Sequence, residues 1–288
     1  MSVVVMLCFA RSGGTLLNKC IGSLPDTVVL SEVNPLGGGW GENGADSFST
    51  VRAQAKNWYN LDIKSDEFAD GIIELYEICK DTNKRLVVRD WTFVNFVPCE
   101  ENQWSPPNRF LTLDSLKDNC AVIPFAFIRN AIDVWISRGM PPVNDFFMHY
   151  LNYVERLTRE NICYFRYEDF CANPQGRLKE ICEYANLPYR DVTNIYQAFS
   201  KVNGDVQNKS ASRGIKQNKI APLPRKYIPW QKIREIEESS LVRRCNELVG
   251  YQSSYFTGMT DRAIWFFQNM VFWYGAAIKS LRAHNILR

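Results

Sequence analysis

The sequence predicts an α/β protein: a three-layer sandwich with a central parallel sheet flanked by helices. Short runs rich in β-branched and apolar residues recur along the chain. Each is nearly continuous in apolar side chains, as strands covered on both faces are. Segments with apolar residues at helical spacing separate these runs, and alternating strands and helices imply parallel pairing. The first run also leads straight into a Gly-rich loop and then a helical pattern, a layout suited to holding an anion.

The strands are expected at VVVMLC (3–8), TVVLS (27–31), RLVVR (85–89), VIPFAFI (122–128) and ICYFR (162–166). Leu16, Leu17, Cys20 and Ile21 form a helical stripe that stops at Gly22, with Pro25 beyond; both are stop signals. Phe68, Ile72, Ile73, Leu75, Tyr76 and Cys79 form a second stripe, and Ile132, Trp135 and Ile136 a third. Residues 35–50 are rich in Gly, 97–109 in Pro and polar groups, and 200–226 in Lys and Arg. Loops this long in a compact domain are commonly lids or binding loops.

The main domain is expected over residues 1–260. Beyond it, DRAIWFFQNMVFWYGAAIKSLR (261–282) has Asp261, Gln268, Gly275 and Arg282 at seven-residue intervals and apolar residues at most other positions. So narrow a polar stripe belongs to a helix against something apolar, and the apolar stretch is short for a membrane span. Residues 261–288 are therefore expected to pack on the domain, on a partner subunit as in a homodimer, or on a membrane surface.

Composition narrows the chemistry. The 34 basic and 31 acidic residues leave a net charge of +3, and no nucleic-acid partner is expected without a clustered basic face. The nine cysteines include no CxxC pair, and His149 and His284 are the two histidines, so no metal site is expected. Scattered thiols fit a reducing compartment. The N-terminal apolar run has no basic residue before it and continues into the Gly-rich loop. A cytoplasmic location is expected rather than a cleaved signal.

The loop reads ARSGGTLL (10–17). Glycines allow a tight turn with N–H groups pointing inward, and a helix starting near Thr15 adds partial positive charge. Arg11, Ser12 and Thr15 add side-chain donors. No lysine follows the glycines, so the triphosphate-binding pattern is absent, and no G-x-G-x-x-G is present. After the fourth run comes RNAIDVWISRG (129–139). Asn130 is placed to cap a helix. Arg129 and Ser137 are eight apart, a helical repeat that would bring both to one phosphate.

A strand, an RSGG-T loop, a helix and a later R-N-x-x-D-x-x-x-S resemble the nucleotide-dependent sulfotransferases. Two further stretches match: YFRYEDFCANPQGRLKEICEYANLPY (164–189) is similar to the family's Tyr-Glu-Asp segment, and SASRGIKQNKIAPLPRK (210–226) to its basic loop over the donor. The resemblance spans roughly residues 3–230 with motif order intact. It implies a P-loop-type fold and 3′-phosphoadenosine 5′-phosphosulfate (PAPS) as donor co-substrate, leaving as 3′-phosphoadenosine 5′-phosphate (PAP), with a hydroxylated acceptor.

The resemblance assigns the 5′-phosphosulfate end to Arg11, Ser12, Gly13, Gly14, Thr15 and Leu16. It assigns the 3′-phosphate to Arg129 and Ser137, aided by Arg213 and Gly214, and sets Tyr167 beside the adenine. The family usually has threonine where Gly14 stands. Glu32, just past the second strand, matches the base of the glutamate-base branch, whose relatives include tyrosylprotein sulfotransferases. The cytosolic branch has a histidine base where this chain has Trp91. Arg89 matches a lysine facing the transferred group, with Glu32 or Asp90 as its other expected partners. Acceptor contacts are expected from residues 33–60, 91–110 and 140–150, with Trp40, Trp58, Trp91, Phe93, Phe96 and Trp104 favouring a small or lipid-like acceptor. A P-loop kinase lacks its lysine here. A degenerate nucleotide fold serving as a scaffold or membrane-surface protein is the rival without catalysis.

Overall fold

All five apolar runs are strands of one sheet in a computed structural model that describes residues 2–37, 50–98, 105–203, 219–221, 225–256, 258, 262–263, 265–271 and 274. They are β1 (Val3–Leu7), β2 (Thr27–Val33), β3 (Arg85–Asp90), β4 (Val122–Ile128) and β5 (Cys163–Arg166). Every pairing is parallel, in the order β2-β3-β1-β4-β5. The chain runs from β1 out to β2, back to β3, then across to β4 and β5. Connections therefore reverse at β1, the kind of switch point where open parallel sheets bind ligands beyond their carboxyl ends.

The intervening helices are α1 (Gly14–Gly22), α2 (Val51–Tyr59), α3 (Phe68–Asp81), α4 (Leu111–Leu116), α5 (Ala131–Ser137), α6 (Val143–Arg159), α7 (Tyr167–Ala172), α8 (Pro174–Ala185), α9 (Trp230–Glu238) and α10 (Ser240–Glu247). On one face of the sheet, Val4, Met6, Phe125 and Phe127 join Leu17, Ile21, Phe170, Leu178 and Ile181 of α1, α7 and α8 in a buried cluster. The helices α2, α3 and α4 pack on β2, β3 and β4. Asn173 caps α8: its side chain accepts from Gly176 N, with Pro174 at the first turn.

The outer edge of β2 is occupied by side chains of α2. Tyr59 Oη accepts from Val29 N and donates to Val29 O, both at 2.9 Å. Gln54 Oε1 accepts from Ser31 N at 2.7 Å, and its Nε2 donates to Ser31 O at 2.8 Å. Two side chains thus stand in for a sixth strand and cover backbone groups that would otherwise invite pairing.

The chain divides into two compact units, Met1–Arg129 with Asn152–Pro222, and Asn130–Leu151 with Leu223–Arg288. The first holds the sheet. In the second, Asn130 caps α5 by accepting from Ile132 N, and Asn246 Oδ1 accepts from Ala131 N at 3.0 Å. Arg225 pairs with Asp133 at 3.0 Å, and its Nη1 donates to Ser254 O at 3.0 Å.

Candidate active site

The loop between β1 and α1 is built on residues with unusual backbone conformations. Gly13 has φ +87°, and a Cβ there would lie 2.3 Å from the Tyr167 ring. Both the turn and the close packing require glycine. Arg11 also adopts a left-handed conformation, at φ 75°. No side chain caps α1 and no acidic residue lies in its first turn, so its positive end is open to an anion. Ser12 is fully buried, and its Oγ meets no hydrogen-bond partner among the described residues. A phosphate-sized group would satisfy such a hydroxyl. Thr15 and Leu16 stand half-buried in the first turn of α1.

Glu32 lies within β2 rather than past it. Pairing with β3 runs from Ser31–Arg89 directly to Val33–Asp90, so Glu32 is the extra residue of a bulge, at φ 55°. Bulges re-aim a side chain out of the pleat. Glu32 Oε1 accepts from Arg89 Nη2 at 2.5 Å, and Arg89 Nη1 donates to Ser31 Oγ at 3.4 Å. Arg89 is only 5% exposed, and its Nε is without a partner among the described residues. Of the two expected partners of Arg89, Glu32 is therefore the one it pairs with.

Gly14 explains the missing threonine. A Cβ at this position would lie 3.0 Å from Arg89 Nε, 3.1 Å from Nη2 and 3.1 Å from Cys8 Cβ. The Arg89 guanidinium fills the space a larger residue would need. Desolvation lowers the Arg11 pKa, and the charge of Glu32 opposes that shift. Loop, base candidate and Arg89 thus share one electrostatic environment.

Arg129 follows β4 and closes the loop from its other side. Its Nη1 donates to Arg11 O at 3.4 Å, and its guanidinium lies over the Tyr167 ring, 4.8 Å from the centroid. Tyr167 is 8% exposed, and burial raises its pKa. Arg129 and Ser137 do not share a helix. Because α5 begins at Ala131, after the Asn130 cap, Arg129 stands outside the helix and the eight-residue interval is not a helical repeat. Ser137 ends α5, half-buried, in the second unit. Arg213 and Gly214 lie outside the described residues. The chain leading to them is held at the site: Asn203 N donates to Ser31 Oγ at 3.1 Å.

Sequence reading missed a buried polar network under these groups. Asp90 Oδ1 accepts from Thr112 Oγ1 at 2.5 Å and Asn34 Nδ2 at 2.8 Å; Oδ2 accepts from Thr92 Oγ1 at 2.6 Å. Thr92 Oγ1 accepts from Cys8 N at 3.0 Å, and Asn34 Oδ1 accepts from Leu36 N at 3.1 Å. The network ties together the segments leaving β1, β2 and β3. Burial pushes the Asp90 pKa up to about 6 against the three donated hydrogen bonds. Asp90 directly after Arg89 was the available signal, but its role depends on which loops meet there.

The expected aromatic acceptor wall is only partly available. Phe96 is fully buried and Phe93 nearly so. They pack edge to face in a core cluster with Phe9, Phe110 and Tyr153. Trp58 and Trp91 are half-buried, whereas Trp40 and Trp104 lie outside the described residues. A pocket of about 340 Å³ lined by Asp26, Arg85, Lys179 and Tyr189 sits at the opposite, amino end of β2 and β3. Among the described residues no three His, Cys, Asp or Glu side chains gather to hold a metal.

Four adjacent strands, in the order β2, β3, β1 and β4, thus deliver Glu32, Arg89, the Gly-rich loop and Arg129 to one carboxyl edge. Residues 115–247 match the family model of the sulfotransferase domain. The sulfotransferase domain of the Synechococcus PCC 7002 olefin synthase superposes with a TM-score of 0.52 at 11% identity, over 87% of this chain and 95% of that one. The sulfotransferase domain of the curacin biosynthetic pathway gives 0.47 at 15% identity, over 88% and 99%. Mouse sulfotransferase SULT7A1 complexed with PAP gives 0.41 at 13% identity, over 87% and 89%. No curated protein matches the chain. The fold is the P-loop-type sandwich of sulfotransferases, and the domain match supports sulfuryl transfer as the class of reaction.

Proposed function

We propose that the protein is a PAPS-dependent sulfotransferase of the glutamate-base branch, acting in the cytoplasm on a hydroxyl of a small or lipid-like acceptor. The donor supplies an activated sulfuryl group. Arg11, the backbone of Ser12, Gly13 and Gly14, Thr15, Leu16 and the open end of α1 hold its 5′ end. Arg129 holds the 3′-phosphate with Ser137, Arg213 and Gly214, and Tyr167 lies beside the adenine. Arg11 and Arg89 meet charge as it builds on the transferring oxygens, and donors already in place favour that state over the ground state.

Glu32 accepts the acceptor's proton. Its Oε1 is fixed by Arg89, and its Oε2 receives no hydrogen bond from the described residues. One oxygen anchored and one presented is what a positioned general base needs. No metal has a part in this scheme. The observation that carries the reading is the Glu32–Arg89 pair at 2.5 Å on the edge shared with an uncapped Gly-rich loop.

Calorimetry with PAP, followed by an acceptor screen by mass spectrometry, tests it. Arg11→Ala and Arg129→Ala are expected to abolish PAP binding. Glu32→Gln is expected to bind PAP near normally and to lose turnover by about 10²–10⁴-fold, the usual share of a general base. Retained turnover in Glu32→Gln removes the base assignment. Absence of PAP binding in the wild-type chain removes the whole reading.

A further inference from the structure

In the second unit, the C-terminal helical residues are bound to an aromatic shelf by one face. Trp265 Nε1 donates to Ile228 O at 3.0 Å, and its ring lies 5.9 Å from that of Tyr227 and 6.0 Å from those of Trp230 and Phe256. Tyr227 Oη donates to Asn269 Oδ1 at 2.8 Å. Trp265 and Asn269 are four residues apart, so they share a helix face. Phe267, Met270, Val271 and Tyr274 follow the spacing of a different single face, with Phe266 beside them. Their exposures are 64%, 50%, 56% and 72%, and that of Phe266 is 59%. The polar Asn269 is engaged with the shelf while the apolar stripe faces outward. A helix packed only on its own domain would show the reverse.

Charge selects the occupant of that stripe. From 261 to 288 the sequence carries Arg262, Lys279, Arg282 and Arg288 against Asp261 alone. A second copy would set this cationic stretch against its own like. An anionic bilayer offers acyl chains to the aromatic stripe and phosphate headgroups to the cations. Tyr274 suits the level of the headgroups, where an amphipathic ring is favoured. Among the described residues no helix is long and apolar enough to cross a membrane. The one-sided exposure of the stripe suits a helix lying in the interface. We infer that the protein docks on anionic phospholipid surfaces through the stripe at Phe266, Phe267, Met270, Val271 and Tyr274. The inference goes beyond sulfuryl transfer and does not rest on it.

Flotation of the full chain with two kinds of vesicle tests this: phosphatidylcholine alone, and phosphatidylcholine with phosphatidylglycerol. Binding to the anionic vesicles is expected to exceed that to the neutral ones by about tenfold or more and to weaken with added salt. Phe267→Glu with Val271→Glu is expected to abolish it without changing the thermal melt. The same salt and lipid series on the wild-type chain decides the matter should the double variant fail to fold. A chain that floats with neither vesicle overturns the proposal. So does equal, salt-insensitive binding to both. A concentration-dependent dimer in sedimentation that the double substitution dissolves, without vesicle binding, also overturns it and assigns the stripe to a second copy.

Discussion

Position 14 and the guanidinium of Arg89 compete for the same space. With Cβ-to-guanidinium separations of 3.0 and 3.1 Å, even alanine presses on Arg89, whose Nη2 and Nη1 are held by Glu32 and Ser31. Overpacking of this kind costs about 1–3 kcal/mol. Gly14→Ala is expected to lower kcat/KM by roughly tenfold or more, and Gly14→Ala with Arg89→Lys to recover part of the loss, because lysine is narrower at that depth. Steady-state kinetics of the two variants checks this. Wild-type rates in Gly14→Ala would mean that Arg89 has room to move and that the pair is uncoupled. The loop residues themselves were legible in the sequence, because an arginine, a serine and two glycines between an apolar run and a helical stripe need no tertiary information. The dependence of Gly14 on Arg89 was not legible, since it joins the start of α1 to β3, distant along the chain.

At the scale of elements, β2 carries both the base candidate and an exposed edge. Removing Gln54 leaves the N–H and C=O of Ser31 without their partners, at about 1–3 kcal/mol for an unsatisfied buried group. Gln54→Ala is expected to lower stability by that amount in denaturant titration and to perturb Glu32 through its neighbour. The Asp90 network adds a pH dependence. Its pKa of about 6 when folded lies above the ordinary 3.8. The folded state therefore holds this proton more tightly than the unfolded state does. Its contribution is greatest below about pH 4 and declines as pH rises through about 6, by on the order of 3 kcal/mol. Urea titrations across that range should show this decline in the wild type and lose it in Asp90→Asn; an unchanged slope would reject the assignment. Strand positions were legible because fully covered strands read as unbroken apolar runs. The bulge was hidden, since a one-residue offset exists only relative to the register of β3. Hence Glu32 was expected beyond the strand that in fact contains it.

For the molecule as a whole, a ligand that binds only the folded chain raises its stability by mass action. PAP at a hundredfold excess over its dissociation constant should add about 2.7 kcal/mol, seen as a higher melting temperature, whereas magnesium with adenosine triphosphate should leave the melt unchanged. The reverse pattern would favour the kinase reading. Layer architecture was legible from alternating periodicity, but the strand order and the division into two units were not, because both are set by contacts between distant segments. Arg11 and Glu32 occupy left-handed backbone conformations, at φ 75° and 55°, that disfavour side chains with a Cβ by about 1–2 kcal/mol. Selection for heat resistance alone should therefore enrich glycine at position 11, at the cost of the proposed donor binding; at position 32 the buried charge of Arg89, left unpaired, would outweigh the relief. An indifferent breeder would thus discard Arg11 early and keep Glu32.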